Sequence, residues 1–153
     1  MDVKHINPIL NAFSEIIPQL GFDSIVKTKI ALLGSSVEYS GILIDIGLYG
    51  TIKGVVLIGM SIDSAMTFAS KMMMGMEVSS FDSLAQSAIS EMGNMVCANA
   101  CTQFNNVGIS GLDISPPTVM ISDFGTATLP ANQVILISFI VDGIDVNVYV
   151  GLM

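Results

Sequence analysis

The sequence predicts an α+β fold in which two pseudo-symmetric helix–strand–hairpin halves merge into one mainly antiparallel sheet of about six strands, with two long helices packed on it. Three observations carry this reading. Apolar residues recur at helical spacing over two long stretches, near the start and in the middle of the chain. Each stretch is followed by a strand and a hairpin pattern. The two hairpins also match at an offset of 92 positions: Ile52 with Ile144, Val56 with Val148, Ile58 with Val150, Gly59 with Gly151 and Met60 with Leu152. These residue types are common in any strand, so the match gains its force from the shared order of elements.

The first helix is expected from about Val3 to Leu20, with Ile6, Ile9, Leu10, Phe13, Ile16, Ile17 and Leu20 on one face and Gly21 placed to end it. Asn7-Pro8 is an alternative start, and Pro18 should kink or end the last turn. Strands are expected over Lys27 to Leu33, Tyr39 to Leu48 and Thr51 to Met60, the last two joined by Gly47-Leu48-Tyr49-Gly50. Ser61 or Asp63 caps a helix carrying Ala65, Phe68, Ala69, Met72, Met73 and Met76, which stops near Gly75. The Met72-Met73-Met74-Met76 cluster reads as core filling, because flexible thioethers suit irregular gaps; an adaptable partner surface is the alternative. A long helix then runs from about Phe81 to Asn105, a strand from Thr118 to Asp123, and a hairpin from Gln133 to Leu152 turning at Asp142-Gly143, the dipeptide a type I′ turn favours.

A length of 153 residues suits a single domain, 1–153, whose halves of about 1–60 and 80–153 are joined by a helix over 63–75. Composition is 52% hydrophobic and 12% charged, with a mean hydropathy of +0.73. Even so, the longest apolar run, Val134 to Val141, is far short of the ~20 residues a spanning helix needs. Met1-Asp2-Val3-Lys4-His5 has neither the basic patch nor the apolar stretch of a signal peptide, so a cytoplasmic protein without membrane insertion is expected. A net charge of −8 argues against nucleic acid or anionic lipid as partner, since both are polyanions. Cys97, Cys101 and the lone His5 cannot assemble a four-ligand zinc site, so no metal site is expected and the cysteines read as buried or partly buried free thiols. No histidine is placed by the sequence to serve Ser87 or Cys97 as a base, and no Gly-x-x-x-x-Gly-Lys-Ser/Thr phosphate loop is present.

The second long helix holds the informative pattern. Ala85, Ala88, Ile89, Met92, Met95 and Val96 define its buried face. Opposite them, Ser87, Glu91, Asn94, Ala98 and Cys101 follow one another at steps of four, three, four and three. Such steps place neighbours about 40 to 60° apart around the axis, in a single stripe. A solvated face normally favours Lys, Glu, Gln and Arg, whereas this one sets Asn94 beside Gly93, and glycine costs about 1 kcal/mol relative to alanine in a helix interior. Close approach by another molecule would account for that choice. On spacing alone, however, Glu91 could equally be a solvated charge and Asn94 a tolerated polar residue.

Ser87, three residues, Glu91, two residues, Asn94, twenty-two residues and Pro117 together reproduce a signature: Asp or Ser, x3, Glu, x2, Asn, x22, Pro. In this the chain resembles the chemotaxis phosphatases CheX and CheC and their flagellar relative FliY, over nearly its whole length. CheC-like members carry one motif in each half. Here the first helix offers Asn11, Glu15 and then Pro18 where the amide would stand, and proline has no side-chain donor or acceptor. One site per chain makes CheX the nearer likeness.

The resemblance implies a protein phosphatase that hydrolyses the aspartyl phosphate of a CheY-like response regulator in two-component signalling. Asn94 would position the attacking water, and Glu91 would pair with a lysine of the receiver. Ser87, Gly93, Ala98 and Cys101 would be partner-binding, the small residues letting the helix enter the receiver's active site. Ser87 either shapes that contact or merely caps and solvates its turn, and Pro117 reads as structural. Mg²⁺ would come from the phosphorylated receiver, the protein needing no cofactor of its own, and the resemblance further implies a homodimer. The alternative is a non-catalytic receiver-binding or dimerisation module of the same fold.

Overall fold

The computed structural model describes residues 3–153. In chain order the elements are α1 (Val3–Gln19), β1 (Ile25–Leu33), β2 (Ser36–Tyr49), β3 (Gly54–Met60), α2 (Ile62–Met72), α3 (Ser83–Asn106), β4 (Asp113–Ile114), β5 (Thr118–Thr128), β6 (Val134–Val141) and β7 (Ile144–Leu152). The strands form one antiparallel sheet of seven in the order β1-β6-β7-β3-β2-β4, with β5 also pairing β2. The strand beyond the expected six is the two-residue β4, too short to carry a periodic signal.

The two halves meet where β3 pairs β7. Leu57 lies opposite Tyr149, its own equivalent at the 92-residue offset, and the flanking pairs Val56–Val150 and Ile58–Val148 exchange equivalents. A pseudo-twofold axis therefore passes between Leu57 and Tyr149. Equivalent helices α1 and α3 lie side by side on one sheet face, burying Ile9, Phe13, Ile17, Ile89, Met92, Val96 and Phe104 against Ile44, Ile46, Ile58, Ile137, Val146 and Val148. Burying one such side chain is worth roughly 1.5–3 kcal/mol, so this layer dominates the fold's stability. On the opposite face a smaller cluster of Val37, Leu43, Leu57, Leu129, Val134 and Tyr149 is buried.

Several boundaries differ from expectation. The first hairpin turns at 50–53 instead of Gly47–Gly50, because Leu48 still pairs with Gly54, and Leu48 and Tyr49 also pair with β4. Gly50 takes φ +123 there, and a Cβ on it would collide with the Gly111 carbonyl oxygen. α1 continues through both Pro8 and Pro18 to Gln19, so Asn7-Pro8 does not start it. α2 ends at Met72, where the chain turns through positive φ at Met74 and Gly75. Only Met72 and Met73 pack on the core; Met74 and Met76 are exposed, which corrects the core-filling reading for those two. α3 begins slightly inside its expected span because Asp82 caps it, its carboxylate accepting from the Ala85 N–H at 2.9 Å.

Candidate functional site

Along α3, the face toward the sheet is Ala85, Ile89, Met92, Gly93, Val96, Cys97, Ala100 and Phe104, all buried. Ser87, Glu91 and Ala98 are exposed on the other side, with Asn94 and Cys101 half-buried between. The stripe therefore exists as its spacing predicts, but the neighbouring glycine does not share its exposure. Gly93 is buried against the sheet: a Cβ there would stand 3.0 Å from Ile44 Cγ2 and 3.0 Å from Ile46 Cδ1. The glycine serves the close approach of α3 to β2, and the reading of Gly93 as a partner contact is corrected on that ground.

Ser87, Glu91 and Asn94 line one open depression of about 500 Å³ together with Ser83, Gln86, Ser90, Pro117 and Val119. The four points of the sequence signature thus converge, although twenty-two residues separate Pro117 from Asn94. Pro117 arrives there because β5 pairs with β2, the strand beneath α3, with Thr118 opposite Asp45 and Val119 opposite Ile44. Ser115 ties the approach to β5 in place, its hydroxyl oxygen accepting from the Gly47 N–H at 2.7 Å. Ser83, Gln86 and Ser90 form a flank that the sequence reading does not single out, although steps of three and four mark it as a second stripe beside the first. Gln86 donates through Nε2 to the Phe81 carbonyl at 3.1 Å, which holds that flank to the helix start.

Within the chain, no hydrogen bond or ion pair among the described residues engages the side chains of Glu91 or Asn94. The first half differs. Glu15 accepts a 2.7 Å hydrogen bond from Gln103 Nε2, which also reaches Asn99 Oδ1 at 3.3 Å. Both glutamates are exposed, but that of α1 is tied to α3 by this bond, while that of α3 has no partner among the described residues of the chain.

The thiols offer no nucleophile. Burial, then the neighbouring Cys101, pushes the Cys97 thiol up to about 12, and burial, then Asp113, raises that of Cys101, so both are protonated near neutrality. His5 borders other depressions, with Thr51 and Ile52 and with Pro130 to Gln133, away from Ser87. No group of three or more His, Cys, Asp or Glu side chains that could hold a metal ion occurs among the described residues. No helix among them is long and apolar enough to cross a membrane.

A family model described as chemotaxis phosphatase CheX matches residues 42–139. The chain is 34% identical over 122 residues to the CheY-P phosphatase CheX of Thermotoga maritima, covering 78% of this chain and 77% of that protein. Among solved structures, a CheC-like superfamily protein from Shewanella sp. PV-4 superposes with a TM-score of 0.87 at 20% identity, covering 100% of this chain and 99% of the other. CheX in a CheX–CheY–BeF3–Mg²⁺ complex from Borrelia burgdorferi superposes with a TM-score of 0.79 at 24% identity, covering 99% of both chains. The chain belongs to the CheX family of chemotaxis phosphatases.

Proposed function

We propose that this chain removes the aspartyl phosphate of a CheY-like receiver by inserting α3 into the receiver's active site, with Asn94 positioning the attacking water and Glu91 docking the receiver. The observation that carries this reading is the outward, unengaged pair of Glu91 and Asn94 in an open depression bordered by Pro117. An aspartyl phosphate is a mixed anhydride, already activated, so a catalyst must mainly place water in line with phosphorus. The Asn94 side-chain oxygen can accept from that water while its NH₂ donates to a phosphoryl oxygen, and neither depends on pH. Glu91 would accept from a receiver lysine and fix the helix in register. Mg²⁺ belongs to the receiver in this scheme. Ser87, Ala98 and Cys101, small side chains along the same stripe, would lie against the partner without obstructing entry. A receiver substrate places the reaction in the cytoplasm.

The decay of a phosphorylated CheY-type receiver tests the scheme. Wild-type protein should accelerate decay and Asn94→Ala should not; equal acceleration by both would remove Asn94 from the mechanism. Glu91→Ala should raise KM about tenfold or more, the effect of deleting one partner of a charge-assisted hydrogen bond at an interface. A receiver that binds without faster decay would favour the non-catalytic module.

A homodimer is the second part of the proposal. β1 is a sheet edge that leaves Val26, Ile30 and Leu32 exposed at 53%, 56% and 62%, an edge suited to pairing with a second copy. Sedimentation should show a dimer at micromolar concentration, and a strictly monomeric protein would contradict it.

A further inference from the structure

We infer that the receiver's footprint extends beyond the polar pair onto apolar side chains that flank it on either side, Leu84 on α3 and Val119 and Ile121 on β5, which set affinity without taking part in the chemistry. This rests on the reading of α3 as the docking helix. Leu84 stands one turn before Ser87 and directly follows Ser83, which lines the depression, yet it is 58% exposed. Val119 lines the same depression from β5. Ile121 lies two residues further along β5, opposite Ile42 as Val119 is opposite Ile44, and so shares the helix-bearing face; it is 52% exposed. Large aliphatic side chains thus border the N-terminal end of the stripe from both the helix and the strand.

Size and charge point to the receiver as what covers them. A transient protein contact hides about 600 Å² of each partner, several times what one carboxylate and one carboxamide present. The remainder cannot come from ion pairs made by cations of this half, because the chain has no lysine or arginine after Lys71. Apolar area next to the depression is what the surface has to offer. The Glu91–Asn94 pair then supplies register and chemistry, and the flank supplies the binding energy that holds α3 in place.

The test is steady-state decay of a CheY-type receiver charged with acetyl phosphate and Mg²⁺, comparing wild type with Leu84→Ser and Ile121→Ser. Val107→Ser is the control, an equally exposed apolar residue at the far end of α3. Each flank variant should raise KM about tenfold, from removal of one buried aliphatic side chain, with kcat within about twofold and the melting temperature unchanged. Val107→Ser should leave both constants as they are. Unchanged KM in both flank variants with an active wild type would overturn the footprint and leave the phosphatase reading intact. A fall in kcat at saturating receiver would also overturn it, by placing these residues in the chemistry. Weakened self-association in sedimentation, with unchanged KM, would assign the flank to a second copy instead. An inactive wild type would overturn both readings together.

Discussion

Replacing Gly93 by alanine separates two explanations for a glycine in the middle of α3. If the glycine exists for α3 to seat on the sheet, the added methyl meets Ile44 Cγ2 and Ile46 Cδ1 at 3.0 Å each, about half an ångström inside comfortable contact. Overpacking a filled core costs about 1–3 kcal/mol, while alanine recovers about 1 kcal/mol of helix propensity over glycine. The balance is a destabilisation of about 1 kcal/mol, because both obstructing groups are branched side chains packed in the main core. For a chain of this length that corresponds to a melting temperature lower by about 2–4 °C. Thermal unfolding by circular dichroism reads the stability, and receiver dephosphorylation reads the function. KM should move by less than about threefold, since Gly93 faces the sheet. A raised KM with no change in melting temperature would refute this reasoning and return Gly93 to the partner interface.

Asp142 gives a pH-dependent test of the β6–β7 turn. Its carboxylate accepts from the backbone N–H groups of Asp23 and Ser24 and pairs with Lys71 at 3.2 Å, and these contacts, Asp23 foremost, hold its pKa below the ordinary 3.8. A lowered carboxylate pKa contributes stability above the ordinary value that disappears as pH falls through the folded one. Asp142→Asn should therefore melt below wild type at neutral pH, with the gap closing under acid; a gap constant with pH would contradict the ionic contribution. The two cysteines should resist iodoacetamide at pH 8 in the folded state, Cys97 more than Cys101, and both should label once the chain is unfolded. Rapid labelling of folded Cys97 would show that the core opens more freely than its packing implies.

The exposed stripe on α3 is readable in sequence because a helix converts spacing directly into direction. Ser87, Glu91 and Asn94 need nothing beyond 3.6 residues per turn. The same rule puts Gly93 well away from the stripe's centre, on the side of Ile89 and Met92, so its burial is also implicit in the spacing. Pro117 is different: the motif spacing marks it, but only the pairing of β5 with β2 shows that it lines the depression. The flank residue Ile121 has no local signal, since its exposure depends on where the helices stop covering the sheet. Boundaries diverge where two candidates compete. Gly47 and Gly50 both suit a turn, and β4 decides between them by holding Leu48 and Tyr49 in the sheet. For the methionines after Met73, a helical period extended too far points to the core, whereas the backbone leaves the helix at Met74 with positive φ. The pseudo-twofold is legible in the matched hairpins, and the pairing of Leu57 with Tyr149 gives that match its geometric meaning.

The most direct test of the central claim is to measure receiver binding and receiver dephosphorylation together for Asn94→Ala. The side chain is half-exposed and unengaged within the chain, so its removal should leave the fold and the docking surface intact. Binding to a BeF3-loaded receiver should stay within about threefold of wild type while kcat falls by about a hundredfold or more, the effect expected on removing a group that acts only in the transition state. Retained kcat, or a drop in activity accounted for wholly by weaker binding, would contradict the assignment of Asn94 as the group that positions the water.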